Sequence, residues 1–190
     1  MVKILHISDA HGERDLIDKL KNLMGTIDII TVGGDFEDIG ILDLLSKLGK
    51  PVYAVLGNMD PLGIRVRISK YLIEGRIIDI GKDLYLAGYP IEIKAVERLG
   101  RKLIVLSHYP PYDCKVDMAW GGRHIGSKAV REFIERAKPL VMLTGHVHES
   151  PGIDDIGGTV VVNPGPFYEG RYAIVHISEY GAIKVELGRL

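Results

Sequence analysis

The chain of 190 residues contains one cysteine, Cys114. A single thiol excludes an internal disulfide framework and a thiolate-rich zinc or iron-sulfur site, and it fits a reducing compartment. Neither sign of charge is in excess: 24 Lys and Arg stand against 25 Asp and Glu, for a formal charge of -1. No broad attraction for nucleic acid or an anionic membrane follows, so an anionic substrate has to be held locally. No apolar run approaches the roughly 18 residues that span a bilayer, and the opening MVKILHISDAHG turns polar too early for a signal peptide. A cytoplasmic protein without membrane contact is expected. Glutamine is absent and asparagine occurs only as Asn22, Asn58 and Asn163. Ile, Val, Lys and Glu are abundant, and that bias points to a hot environment.

The chain carries enough apolar sequence for one domain over residues 1–190. Its first half alternates β-rich runs with helical patterns. VKILHIS, IDIITVGG and PVYAVLG read as strands. Between them, ERDLIDKLKNLMG aligns Leu16, Leu20, Leu23 and Met24 on one helical face, and DIGILDLLSKLG forms a second amphipathic pattern. A β-α-β-α-β order predicts a parallel sheet. A third helix is expected to open at Asp60-Pro61, as N-cap and first helical residue.

The second half is mostly short strands (RIIDI, DLYLAGY, KLIVLSH, LVMLTGH, GTVVVNPG, RYAIVHI and AIKVEL) with one helix, SKAVREFIERAK. Consecutive strands predict a second sheet with antiparallel pairing. YPPYDCKVDMAWGGRHIG has neither period and is long for a connector, so it is a candidate lid, with Tyr109, Tyr112 and Trp120 able to stack on a base or pack on the domain.

Five strands end alike, in a small residue followed by a potential metal ligand: Asp9 and His11, Asp35, Asn58, His108, and His146 with His148. Singly, several of these would be ordinary turn residues. Together they put seven donors at strand C-termini, where open α/β sheets hold ligands. The i, i+2 pairs Asp9/His11 and His146/His148 would point the same way in extended backbone. So many oxygen and nitrogen donors suit two divalent ions, with Asp35, after Gly33-Gly34, as the bridging carboxylate. Manganese, iron, cobalt, nickel and zinc all accept such donors. His6 and His176 lie inside strands and read as structural.

The ordered set DAH, GGD, GNMD, SH and GHVH resembles the calcineurin-like metallophosphoesterases, over about residues 2 to 177, and is similar to their small single-domain branch of predicted phosphoesterases. The resemblance implies a four-layer α/β/β/α sandwich of two mixed sheets flanked by helices. It implies Asp9, His11, Asp35 and His148 around a first metal, and Asp35, Asn58, His108 and His146 around a second, with manganese expected first. The implied reaction is phosphoester hydrolysis, more readily of a diester, by attack of a metal-bridging hydroxide on a small phosphoester or nucleotide, with Asn58 counted among the catalytic groups.

Nucleic acid is disfavoured as a partner and a homo-oligomer is left open. Where many members carry a histidine after Gly-Asn, this chain has Met59, which cannot donate a proton. His124 is the expected substitute acid and Arg123 the expected phosphate contact. Competing readings are a non-catalytic metal-binding scaffold of the same fold and a nuclease.

Overall fold

The structure, a computed structural model, describes residues 1–190, the side chain of Leu62 excepted. The first strands are β1 (Val2–Ile7), β2 (Ile29–Val32), β3 (Val52–Ala54), β4 (Ile77–Asp79), β5 (Tyr85–Gly88) and β6 (Leu103–Leu106). They are followed by β7 (Met118–Ala119), β8 (Arg123–His124), β9 (Val141–Leu143), β10 (Gly152–Ile156), β11 (Thr159–Asn163), β12 (Arg171–Ile177) and β13 (Ile183–Arg189). The α-helices are α1 (Ile39–Ser46), α2 (Ile93–Val96) and α3 (Lys128–Ala137).

One sheet has the order β13-β12-β1-β2-β3 and the other β10-β11-β9-β6-β5-β4. Alternation along buried strands explains how these become four layers. In β1, Ile4 faces a core between the two sheets, while Leu5 and Ile7 face Ile17, Leu20, Ile41 and Leu42 on the outer side of the first sheet. In β6, Ile104 and Leu106 enter the same central core, while Leu103 and Val105 meet Val130, Phe133 and Ile134 of α3. Three cores separate four layers, as the sandwich reading expects. Ser127 caps α3, its hydroxyl accepting from Val130 N at 3.3 Å. Lys138, at φ 47°, ends it in the left-handed region.

Several expectations are corrected. The segment read as a first α-helix forms a 3-10 helix, Ile17–Leu23. Ile17, Leu20 and Leu23 pack inward at a spacing of three, the repeat of that tighter helix. The third helix shrinks to a 3-10 turn at Leu62–Ile64 whose N-cap is Pro61, without a side-chain cap. Asp60 does not cap it, because its carboxylate is turned back on three other backbone amides. The second sheet is mixed, as the resemblance implies, where the run of consecutive strands alone predicted antiparallel pairing: β5, β6, β9 and β11 pair in parallel, and only β4 and β10 at its edges run antiparallel. The candidate lid contains a small hairpin, β7 against β8, and the sequence reading omitted both β10 and α2. Among the described residues, no helix is long and apolar enough to cross a membrane.

His6 is structural, as expected. Fully buried, it places Nδ1 3.1 Å from the Thr31 hydroxyl and Nε2 2.8 Å from the Thr144 carbonyl oxygen. Burial lowers its pKa to about 4. An imidazole neutral in the fold but protonated once unfolded below about 6.5 favours unfolding as acid is added. Stability from this group is therefore complete above pH 6.5 and is lost between 6.5 and 4, by about 3 kcal/mol. Urea titrations of the wild type and His6→Asn across that range should differ in slope by about one proton. Parallel curves would place the acid sensitivity elsewhere.

Candidate metal centre

The first three strands of one sheet and the β6-β9 pair of the other are each parallel, so five C-terminal ends meet along one edge. The chain turns sharply there. Asp9, His11, Asp35 and His146 all have φ between 45° and 67°. Such left-handed backbone costs a non-glycine residue roughly 1–3 kcal/mol and tends to be kept where function needs it. The pairs Asp9/His11 and His146/His148 are therefore not extended, contrary to expectation. At the second pair the turn sends the two imidazoles to different places.

Asp9, His11 and His148 make one donor group, and Asp35, His108 and His146 the other, with the donor atoms of each group within 4.8 Å of one another. In the first, His148 Nε2 lies 3.4 Å from Asp9 Oδ1 and 3.4 Å from His11 Nε2. In the second, His108 Nε2 lies 3.3 Å from Asp35 Oδ2 and 3.0 Å from Asn58 Oδ1, which adds Asn58 to that group. The groups abut: Asp9 accepts from the backbone N–H of His146 at 3.0 Å.

Outer partners aim the rings. His11 Nδ1 is 2.5 Å from Glu37, His108 Nδ1 is 2.7 Å from the Gly33 carbonyl oxygen, and His148 Nδ1 is 3.3 Å from the Tyr168 hydroxyl. Each leaves Nε2 for a ligand role, the usual arrangement of metal-binding histidine. Two glycines make room. A Cβ at Gly57 would overlap Asp35, and one at Gly145 would overlap Ser8 and Asp9.

Charge balance favours a cation. Burial pushes the Asp9 carboxyl up, yet His148 and His108 beside it hold it below the ordinary range. Asp35 is likewise raised by burial and brought lower overall by His108. Burial pulls His108 down but Asp35 and Asp9 raise it above the ordinary value, and Asp9 raises His148. Partial burial foremost, and then the neighbouring His108, lower His146. Two buried carboxylates thus favour positive charge at His108 and His148. Divalent cations would meet the same demand, and the donors, nitrogen and oxygen without sulfur, suit them.

All seven expected ligands come together at this edge. Arg123 and His124 do not join either group. His124 sits on the lid hairpin with Nδ1 2.6 Å from the fully buried Asp117, whose carboxylate also accepts from the backbone of Asp113, Cys114 and Gly126. Its Nε2 is 3.6 Å from Asp113. Burial pushes the Cys114 thiol up to about 12, which makes it a poor nucleophile.

Sequence reasoning missed Glu37, Tyr168 and Asp117. Only Glu37, two residues after Asp35, carried any signal, in the acid-rich GGDFED. Asp60 was misassigned as a cap. Asn163 is fully buried and donates to the carbonyl oxygens of Val147 and Ser150, which fixes the loop bearing His148.

Residues 2–180 match the calcineurin-like phosphoesterase superfamily domain. An uncharacterized protein of Methanocaldococcus jannaschii is 27% identical over 196 residues, covering 87% of this chain and 88% of that protein. A crystal structure from Thermus thermophilus superposes with a TM-score of 0.70 at 20% identity, covering 99% of this chain and 98% of that one. A structure described as a novel archaeal phosphodiesterase gives 0.63 at 17% identity, over 98% and 99% of the two chains.

Proposed function

The chain belongs to the calcineurin-like phosphoesterase superfamily, and from that premise we propose that it hydrolyses a small phosphoester or nucleotide, a diester in preference to a monoester, with two divalent cations. The observation that carries this reading is the pair of abutting donor groups. Two cations held there would lower the pKa of a water and take up charge on the phosphate and leaving oxygens. Manganese is the first expectation, with iron, cobalt, nickel and zinc as alternatives. Asp35, whose Oδ1 accepts from Met59 N at 2.7 Å, is the proposed bridge.

In hydrolysis a water oxygen bonds to phosphorus, the ester P–O bond breaks, and the leaving oxygen takes a proton unless it departs as a stable anion. Met59 is 57% exposed and its thioether holds no proton to give. His124 is proposed as the acid: its hydrogen bond to the Asp117 carboxylate foremost, and then the charges of Asp117 and Asp113, raise its pKa above the ordinary value and favour its protonated form. Arg123 beside it is the proposed phosphate contact. A weak acid arrangement favours aryl and nucleotide-type leaving groups over alkoxides.

The test is a metal-by-substrate screen on protein stripped of metal and reloaded. Hydrolysis of bis(p-nitrophenyl) phosphate or a 2′,3′-cyclic nucleotide is expected, with about two metals per chain by elemental analysis. A loaded protein inert toward both across Mn, Ni, Co and Zn would point to a scaffold, and degradation of single-stranded DNA to a nuclease. In the same assay His124→Ala should slow alkyl esters roughly tenfold more than p-nitrophenyl esters. An equal loss, or none, removes His124 from the reaction.

A further inference from the structure

Beside the first donor group lies an open hollow of about 450 Å³ lined by His11, Gly12, Glu13 and Tyr168. We propose that it is the subsite for one organic arm of the substrate, and that it takes an uncharged aromatic group, a phenyl ring or a nucleobase, in preference to an alkyl group or a second phosphate. The proposal deepens the phosphoester reading and rests on it.

Tyr168 is 41% exposed yet held firmly. Its hydroxyl is 3.3 Å from His148 Nδ1, and its ring centroid lies 5.6 Å from that of His11 and 5.5 Å from that of His148. Its backbone N–H reaches the Asp9 carbonyl oxygen at 3.4 Å, and Phe167 before it is fully buried. A ring fixed in this way is a platform for stacking that loses little freedom on binding. It stands where a substituent of a phosphate bound at the donor groups would pass.

The charges nearby select against anions. Glu13 lines the hollow, and Glu149 and Glu169 directly follow His148 and Tyr168 in the chain. The cations next to the lining residues along the chain are both paired, Arg14 with Asp38 and Arg171 with Glu169, the latter at 3.1 Å. A second phosphate would meet carboxylates with these two counter-charges already engaged. Glu13 Oε1 accepts from Asp15 N at 2.7 Å, and Oε2, without a hydrogen bond among the described residues, can accept from an exocyclic amine or a sugar hydroxyl.

The test uses manganese-loaded protein and calorimetric titration with phenyl phosphate, AMP and methyl phosphate. The wild type should bind the two aromatic ligands about tenfold more tightly than methyl phosphate. Tyr168→Leu should bring that ratio near unity, while Tyr168→Phe, which keeps the ring and loses the hydroxyl, should preserve it. Elemental analysis of each variant shows whether its metal is retained. An equal ratio in wild type and Tyr168→Leu, or no binding of any of the three, overturns the proposal. Turnover of bis(p-nitrophenyl) phosphate, measured separately, distinguishes this from failure of the phosphoesterase reading. Hydrolysis without an aromatic preference sinks only the subsite, whereas preference without hydrolysis sinks only the catalytic reading.

Discussion

Asp35→Asn is expected to lower turnover of an aryl phosphodiester by at least about a hundredfold and to take bound metal from about two ions per chain to one or none. The amide keeps the size of the carboxylate and can still accept from Met59 N, now at 2.7 Å from Oδ1. It loses the charge. Asp35 is only 3% exposed and faces His108 Nε2 at 3.3 Å, so no solvent stands in for the missing anion. A neutral oxygen holds one divalent ion poorly and bridges two worse. Stoichiometry separates the roles. Loss of both ions fits a bridge, and loss of one confines Asp35 to the second group. Near-normal turnover would mean that the site has been misassigned.

Asp60→Ala is expected to destabilise the metal-free protein by about 4 kcal/mol in urea titrations run with chelator. The carboxylate is 6% exposed. Its Oδ2 accepts from Asp35 N and Gly57 N, each at 2.8 Å, and its Oδ1 from Glu37 N at 2.7 Å. Truncation leaves three backbone donors without a partner in a loop that is already strained at Asp35 and Glu37, with φ of 50° and 56°. Asp60→Asn should lose roughly half as much, since one amide oxygen can still accept while the amide nitrogen opposes a donor. A change under about 1 kcal/mol in Asp60→Ala would show that these hydrogen bonds do not hold the loop.

The contrast between Asp60 and Asp35 shows what could be read in advance. Asp35 stood out because it follows a strand and a Gly-Gly turn, and four other strands end in the same way. That repetition is a property of the one-dimensional order. Asp60 contacts residues 3 to 25 positions away through backbone amides, and any residue type supplies those, so local rules favoured a cap. The four layers were legible through the family resemblance, and the structure carries them in the alternation of β1 and β6 between two buried faces. The direction of pairing in the second sheet came from the resemblance and not from local pattern, since parallel and antiparallel strands of this length share one composition. Tyr168 left no trace because its contacts with His11 and His148 arise only when a late turn folds over the first strand end.

Each donor group draws on both sheets. Asp9 and His11 come from the first and His148 from the second; Asp35 comes from the first and His108 and His146 from the second. His11 and His148 are separated by 137 positions in the chain. A cation seated in either group is therefore a rivet through the sandwich, closing a ring most of the domain long. Loss of metal would release the mouth of the inter-sheet seam as well as the proposed chemistry, so such ions would set both the reaction and how readily the two halves part.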